Sequence, residues 1–203
     1  MRKEEEIWLE RTQQGEPQAF EYLVETYQHP VYNLCYRMLG NSQDAEDAAQ
    51  ETFLRAYKAI RRYDPCRSFS TWLLSIAAHY CIDHMRRWRT NIISTEELVY
   101  EDLTDNSPTP EAGLNTKEQQ AFIQSIIQAL DPVDRAAVVM YYWYDFSYDE
   151  ICQALSLTQS ALKSRLHRAR KTLTEEWLRR QSEFLEKQKK IPSETLLVER
   201  MAI

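Results

Sequence analysis

Two groups of side chains in this chain of 203 residues have the types and spacing that chemistry requires. The first is acidic, with Asp44, Glu46, Asp47 and Glu51 followed by Arg55, Lys58 and Arg61. The second is the basic run Lys163-Ser-Arg165-Leu-His167-Arg168-Ala-Arg170-Lys171. Clustered carboxylates can hold a metal or move a proton, but such a site needs further groups to complete it. No His, Gly-rich loop or second acidic cluster at matching spacing accompanies these acids. Acids early and bases late in one helix also complement its dipole, and Glu51 to Arg55 has the favourable i,i+4 order. The nearest approach to a metal pattern is His79, Cys81 and His84. On a helix His79 and His84 diverge by about 140°, so the three do not converge on one ion. No metal and no cofactor is expected. Only three glycines occur, at 15, 40 and 113. Phosphate loops and dinucleotide fingerprints, which need glycine for close backbone approach, are therefore excluded.

The elements that must position these residues are helices. Apolar residues recur at helical spacing in four sets: Phe20, Leu23, Val24, Tyr27; Val31, Leu34, Cys35, Met38; Ala49, Thr52, Phe53, Ala56, Ile60; and Leu73, Ile76, Ala77, Tyr80. Pro17 and Pro30 suit helix starts, Gly40 suits a left-handed C-terminal residue before an Asn41-Ser42 cap, and Asp64-Pro65 makes a turn. A bundle of about four helices follows. Further on, Ile123, Ile126, Ile127 and Leu130 form a stripe, and Asp131-Pro132 starts a helix with Val133, Ala136, Ala137 and Met140 facing inward.

The basic run belongs to the last of two closely spaced helices. Ser147 caps a short helix holding Ile151 and Leu155, Ser156-Leu157-Thr158 makes a turn, and a longer helix begins near Gln159. This is the spacing of a helix-turn-helix. With Leu162 at 0°, Leu166, Ala169, Leu173 and Trp177 fall between about −20° and 60°, whereas Ser160, Lys163, Ser164, His167 and Lys171 fall between about 100° and 200°. An outward face of Lys, Ser and His suits phosphates and base edges, and the start of such a helix is what enters a major groove. The four cysteines, at 35, 66, 81 and 152, form no CxxC pair, which fits free thiols in a reducing cytoplasm. The longest apolar run, Ala136 to Tyr144, falls far short of the roughly 20 residues that span a bilayer, so no membrane insertion is expected. Residues 91–115 carry six acids and no Lys or Arg, enough to account for the net charge of −6. With Pro108 and Pro110 they read as a flexible acidic linker between two near-neutral helical domains.

At this point the chain resembles the small extracytoplasmic-function (ECF) sigma factors of bacteria. The resemblance rests on Asp44-Ala-Glu-Asp-Ala-Ala-Gln-Glu-Thr-Phe53 with Phe69-Ser-Thr-Trp-Leu73 and Arg86-Arg87, and on Ser147-Tyr-Asp-Glu-Ile151 with Leu162-Lys-Ser-Arg-Leu-His-Arg-Ala-Arg170. It covers about residues 12–180. It implies an all-α protein that is not an enzyme, with region 2 over 1–90, the linker over 91–115, a helix-turn-helix region 4 over 116–180, and an extension over 181–203. The implied partners are core RNA polymerase, through its clamp helices and flap, and promoter DNA, with an anti-sigma factor as a further candidate.

The resemblance also implies roles residue by residue. Asp44, Asp47, Gln50, Glu51 and Phe53 would dock on polymerase. Helix 70–89 shows a second face by periodicity alone, with Thr71, Ser75, His79, Ile82, Arg86 and Arg89 at about 160–240° from Leu73. The resemblance sets that face, with Ser75, His79, Arg86 and Arg89, against the minus-ten element, and the loop before it around an unstacked base. Arg62, Tyr63, Arg67 and Phe69 offer that loop cations and π-faces, although Phe69 and Trp72 also suit core anchors. Gln159, Ser160, Lys163, Ser164, Arg165, His167, Arg168 and Lys171 would meet the minus-thirty-five element, Arg165 and Arg168 at its flank. The chain departs from the family at His79, Cys152, Ser156 and Ser160-Ala161-Leu162, where Asn, Ala, Gly and Gly-Thr-Val are common. From residues alone, a free-standing helix-turn-helix regulator and an all-helical enzyme using the acids near Asp47 stay open.

Overall fold

Two prolines and four left-handed residues, Gly15, Gly40, Asp145 and Ser156, punctuate the helical order. In the computed structural model, which describes residues 3–94 and 114–189, Pro17 opens α2 and Pro132 opens α6, each at a position whose N–H would have no partner in the helix. The order is α1 (Lys3–Gln13), α2 (Pro17–Leu39), α3 (Ser42–Ala59), a 3₁₀ turn (Ile60–Arg62), α4 (Phe69–Ser94), α5 (Leu114–Ile127), α6 (Pro132–Trp143), α7 (Tyr148–Leu155) and α8 (Gln159–Lys189). No strand occurs among the described residues. Most of the acidic stretch read as a linker, residues 95–113, lies outside them.

A third proline behaves differently from expectation. Pro30 lies inside α2, so the two apolar sets on either side of it belong to one helix of 23 residues. An interior proline removes one main-chain hydrogen bond, which is why it reads as a boundary. The missing N–H would have met the Thr26 carbonyl; the Pro30 carbonyl itself accepts from the Tyr144 hydroxyl at 2.5 Å, a residue 114 positions further on. Burial of that phenol pushes its pKa up. α1 has no counterpart among the sequence stripes, because its fully buried side chains are only Leu9 and Thr12, with Trp8 stacked on Tyr22 at 4.0 Å.

α1 to α4 form a first unit around Val31, Leu34, Met38, Ala48, Phe69 and Leu73. α5 to α8 form a second unit, and one continuous core joins the two. The join is α6. From Pro132 to Met140 every residue of it is buried, as in a helix surrounded by protein on all sides. Its Asp134 and Arg135 are the two buried charged side chains among the described residues. Arg135 reaches the first unit, donating to the Met38 carbonyl and the Met85 sulfur, and it also donates to the carbonyls of Gln128 and Leu130 at 2.6 and 3.2 Å. A cation against the last carbonyls of α2 also meets the negative end of that helix. Desolvation and the nearby Arg89 pull the Arg135 pKa down to about 10, which leaves it charged at neutral pH.

Gly40 ends α2 in the left-handed region, φ 90°, and its N–H bonds to the Tyr36 carbonyl. A Cβ there would stand 2.8 Å from the Gln128 amide, so the second unit closes over a residue that has no side chain. Ser156 ends α7 in the same region, φ 54°, without glycine's freedom. The two positions therefore respond oppositely to substitution. Gly40→Ala is expected to cost about 1–2 kcal/mol, and Ser156→Gly to raise stability by up to about 1 kcal/mol, from the left-handed backbone penalty. Urea denaturation of the two variants checks both signs.

Candidate nucleic-acid interface

The helix-turn-helix is built by caps. The Ser147 hydroxyl accepts from the Glu150 N–H, and the Glu150 carboxylate accepts from the Ser147 N–H at 2.9 Å, a complete capping box. The Ser147 hydroxyl and N–H hold the Glu150 pKa below the usual carboxylate range. That contribution is present above the carboxyl's unfolded pKa and fades as pH falls through the depressed one. Left-handed Ser156 reverses the chain, and the Thr158 hydroxyl accepts from the Ala161 N–H to start α8.

Leu162, Leu166 and Ala169 are buried, so Gln159, Ser160, Lys163, Ser164, His167 and Lys171 are exposed on the other side. This is the face expected from the periodicity. Gln159 donates to Asp149 at 2.6 Å, tying the start of α8 to α7. Arg165 and Arg168 have a second role that the sequence did not show. Both donate to the buried carboxylate of Asp134, at 2.6 Å from Arg165 and 2.9 Å from Arg168. Their first task is to neutralise a charge under the recognition helix, which their angular position could not reveal.

The α4 face is more deeply covered than its periodicity implies. Ser75 donates to the Trp72 carbonyl, and His79 Nδ1 lies 2.8 Å from the Ser75 carbonyl. His79, Arg86 and Arg89 are exposed. Thr71 and Ile82, expected outward, are buried. They are buried because α6 and α7 of the second unit pack on this side of α4, together with Leu74, Ala78 and Cys81. The Thr71 hydroxyl donates to Glu150 across the join at 3.1 Å. A polar cleft of about 390 Å³ runs beside that bond, bounded by Arg67, Thr71 and Ser75 on one side and by Glu150 and Gln153 on the other. DNA cannot lie on Thr71 while α7 does.

The loop before α4 divides by residue type. Arg62 and Arg67 are exposed, Arg67 at 3.9 Å from Asp64. Phe69 is fully buried and Tyr63 nearly so, packed edge to face at 5.5 Å, with Trp72 beside both. The Tyr63 hydroxyl donates to the Arg67 carbonyl, and burial pushes its pKa up to about 12. In this arrangement the two rings shape the loop and offer no open π-face: Phe69 sits as the core anchor that its type also suited, and Tyr63 is covered beside it.

On α3 the acidic face is largely open. Asp47 and Gln50 are exposed, while Glu51 pairs with Arg55 at 2.7 Å. Asp44 serves the helix start, accepting from Asn41, and Phe53 packs against Phe20. Leu54 and Tyr57, which sequence reasoning passed over, are exposed at 48% and 42% and continue the row from Asp47 and Gln50 at spacings of three and four. Their signal was present, since neither fits the buried stripe of Ala49, Thr52 and Ala56. Cys81 is buried against Cys35, and their mutual hydrogen bond raises its pKa. His79 lies outside on the surface. Among the described residues no group of three or more His, Cys, Asp or Glu could hold a metal ion, and no helix is long and apolar enough to cross a membrane.

A helical bundle joined to a capped helix-turn-helix with an outward polar and basic face defines a DNA-binding transcription protein. Sigma-70 region 2 matches residues 23–90, and a sigma-70 region 4 family matches residues 113–173. The ECF RNA polymerase sigma factor SigW of Bacillus subtilis is 36% identical over 172 residues, covering 81% of this chain and 92% of that protein. The RNA polymerase sigma-H factor of Pseudomonas aeruginosa is 29% identical over 172 residues, covering 81% of this chain and 89% of that protein. Among solved structures, CnrH in complex with the cytosolic domain of CnrY shares the fold, with a TM-score of 0.61 at 22% identity over 84% of this chain and 95% of that one. The chain belongs to the ECF sigma factors, the RNA polymerase subunits that bind core enzyme and direct transcription initiation at promoters. This is not an enzyme family.

Asp134 supplies a direct test of the two diverted arginines. Asp134→Ala is expected to lower stability, because it removes the buried acceptor that Arg165 and Arg168 share, with the loss limited by water reaching the freed guanidiniums, Arg168 being exposed. Thermal unfolding measures it. An unchanged midpoint would mean that Arg165 and Arg168 do not depend on this carboxylate.

Proposed function

We propose that residues 1–90 form the polymerase-docking and minus-ten unit, that 91–115 link it to a minus-thirty-five unit over 116–180, and that the chain acts in the cytoplasm without catalytic activity of its own. The observation that carries the reading is the exposed row Ser160, Lys163, Ser164, His167 and Lys171 on a helix whose start is locked by caps. A row of short polar and cationic side chains on a rigid helix can enter a major groove and read base edges. Arg165 and Arg168, committed to Asp134, keep one guanidinium edge each for the phosphates at the flank. On α4, Ser75, His79, Arg86 and Arg89 meet the minus-ten element, with Arg62 and Arg67 beside it. Tyr63 and Phe69 act there by holding the loop.

Because α7 lies on Thr71 and the cleft opens onto Ser75, this reading requires the two units to separate before the minus-ten face is used. Docking on polymerase through Asp47, Gln50 and Glu51, with Leu54 and Tyr57 alongside, supplies binding energy for that step. One of the solved relatives of the same fold, the sigma factor RpoE of Bartonella quintana, is in complex with an anti-sigma factor, and such a protein is the further partner proposed for this chain.

Two measurements test the assignment. Asp47→Arg with Glu51→Arg is expected to weaken capture of core polymerase while leaving the first unit folded, since exposed charges add little stability but set the sign of a docking face. Normal polymerase binding by the folded double variant removes α3 from the interface. For DNA, Lys163→Ala in the reconstituted holoenzyme is expected to cost about 1–3 kcal/mol at one or two base pairs if it contacts a base, whereas a phosphate contact weakens all promoters alike and lowers the salt slope by about one. Binding across single-base promoter variants at two salt concentrations separates the cases, and no change in either places the reading face elsewhere.

A further inference from the structure

We propose that Asp134 is a specificity-determining residue of promoter recognition: from beneath α8, out of reach of DNA, it restrains Arg165 and Arg168 so that they meet phosphates only when that helix is docked in register. The inference rests on the assignment of α8 as the DNA-reading helix and adds to it a residue that touches no DNA.

The geometry is that of a clamp. Arg165 donates to Asp134 Oδ1 at 2.6 Å, and Arg168 donates from Nε to Oδ2 at 2.9 Å and from Nη2 to Oδ1 at 3.1 Å. Three bonds to one carboxylate, two of them from the planar fork of Arg168, fix the guanidinium groups in direction as well as in place. The Asp134 side chain is 4% exposed and that of Arg168 is 59% exposed. The anchor is therefore hidden while the cation it holds stands at the surface. Arg168 Nη1 and Arg165 Nη2 take no part in these bonds and remain for a phosphate that arrives at the right place.

Angular position gives the restraint its consequence. With Leu162 at 0°, Arg168 falls at about 240°, beside Ser164 at about 200° and Lys171 at about 180°. An unrestrained arginine at that angle sweeps the edge of the reading face on a long side chain and follows any phosphate backbone. Between Lys163 and Lys171 the helix carries five Lys and Arg, and Asp134 holds two of them.

Counterion release sets the size of the effect. Each phosphate neutralised changes the slope of log affinity against log salt by about 0.9, which near 0.15 M salt is about fivefold in affinity. A restrained arginine yields that gain on a promoter, where base contacts fix the register of the helix. An arginine free to follow the backbone yields it on any duplex, and the preference for the promoter falls by the same factor.

The test uses holoenzyme reconstituted from core polymerase and the full chain, with binding measured over a range of salt concentrations to a promoter and to the same fragment with its minus-thirty-five element scrambled. Asp134→Asn, nearly isosteric, is expected to tighten binding to the scrambled fragment about fivefold for each arginine released and to steepen its salt slope by about 0.9. In a chain already carrying Arg165→Gln and Arg168→Gln, the same substitution should change neither slope, because the two cations through which it acts are gone. Arg168→Gln alone is a change at an exposed side chain that leaves Asp134 paired with Arg165, and it reads the same restraint without disturbing the buried carboxylate. It should weaken promoter binding about fivefold and leave the scrambled fragment as it was. An unchanged scrambled-fragment slope in folded Asp134→Asn overturns the inference, and so does an Arg168→Gln variant that weakens both fragments alike. Lys163→Ala run beside them tells the two failures apart. If it weakens the promoter while Asp134→Asn changes nothing, the restraint is wrong and the reading of α8 stands; if it too changes nothing, both fall together.

Discussion

Adjacent residues of α6, Asp134 and Arg135, are both buried and charged, and they point to different halves of the molecule. About 100° apart on the helix, they do opposite things. Asp134 gathers Arg165 and Arg168 and so sets where α8 lies. Arg135 takes up the Met38 carbonyl at the end of α2 and so sets where the whole second unit lies against the first. Desolvating each charge is costly, and each is tolerated because the Asp134 carboxylate and the two terminal nitrogens of Arg135 are hydrogen-bonded, although Arg135 Nε is buried without a partner. The rest of the closed arrangement follows from this helix, with Gln124 and Gln128 adding donors to the carbonyls of Tyr36 and Arg37.

The join joins surfaces that have other work to do. α4 is buried on one side by the first unit, through Leu73 and Ala77, and on another by α6 and α7, through Leu74, Ala78 and Ile82. The unit that matches sigma-70 region 4 thus covers part of the one that matches region 2. The holding is largely apolar, through the core that the two units share, and the hydrogen bonds from Thr71 to Glu150 and from Tyr144 to Pro30 add to it.

The same logic separates the arginines. Lys163 and Lys171 have no buried acid beneath them, whereas Arg165 and Arg168 share one. Basic composition along a helix is therefore a poor measure of how much positive charge is available to DNA. The net charge of −6 is likewise set by residues 91–115 and says little about the helices that face a promoter.

What the sequence determined by itself was local and periodic. The Ser147 cap, the Gly40 ending, the start of α6 at Pro132 and the outward row from Ser160 to Lys171 all depend on residues within a turn or two of one another, so type and spacing were sufficient. The all-helical class and the family followed from the same signals. Tertiary structure alone decided what covers each face. Periodicity placed Thr71 and Ile82 outward because they oppose Leu73, yet a second unit distant in sequence buries them. The resemblance gave Tyr63 and Phe69 to a base-capturing loop, with Phe69 also suited to the core, and both rings lie in the core. The sequence pattern read Pro30 as a boundary, yet α2 runs through it, and a phenol more than a hundred residues away takes its carbonyl. Asp134 and Arg135 passed unnoticed as ordinary charges on an amphipathic helix. Helical spacing reports an angle about one axis, and burial depends on which other axes come to lie beside it.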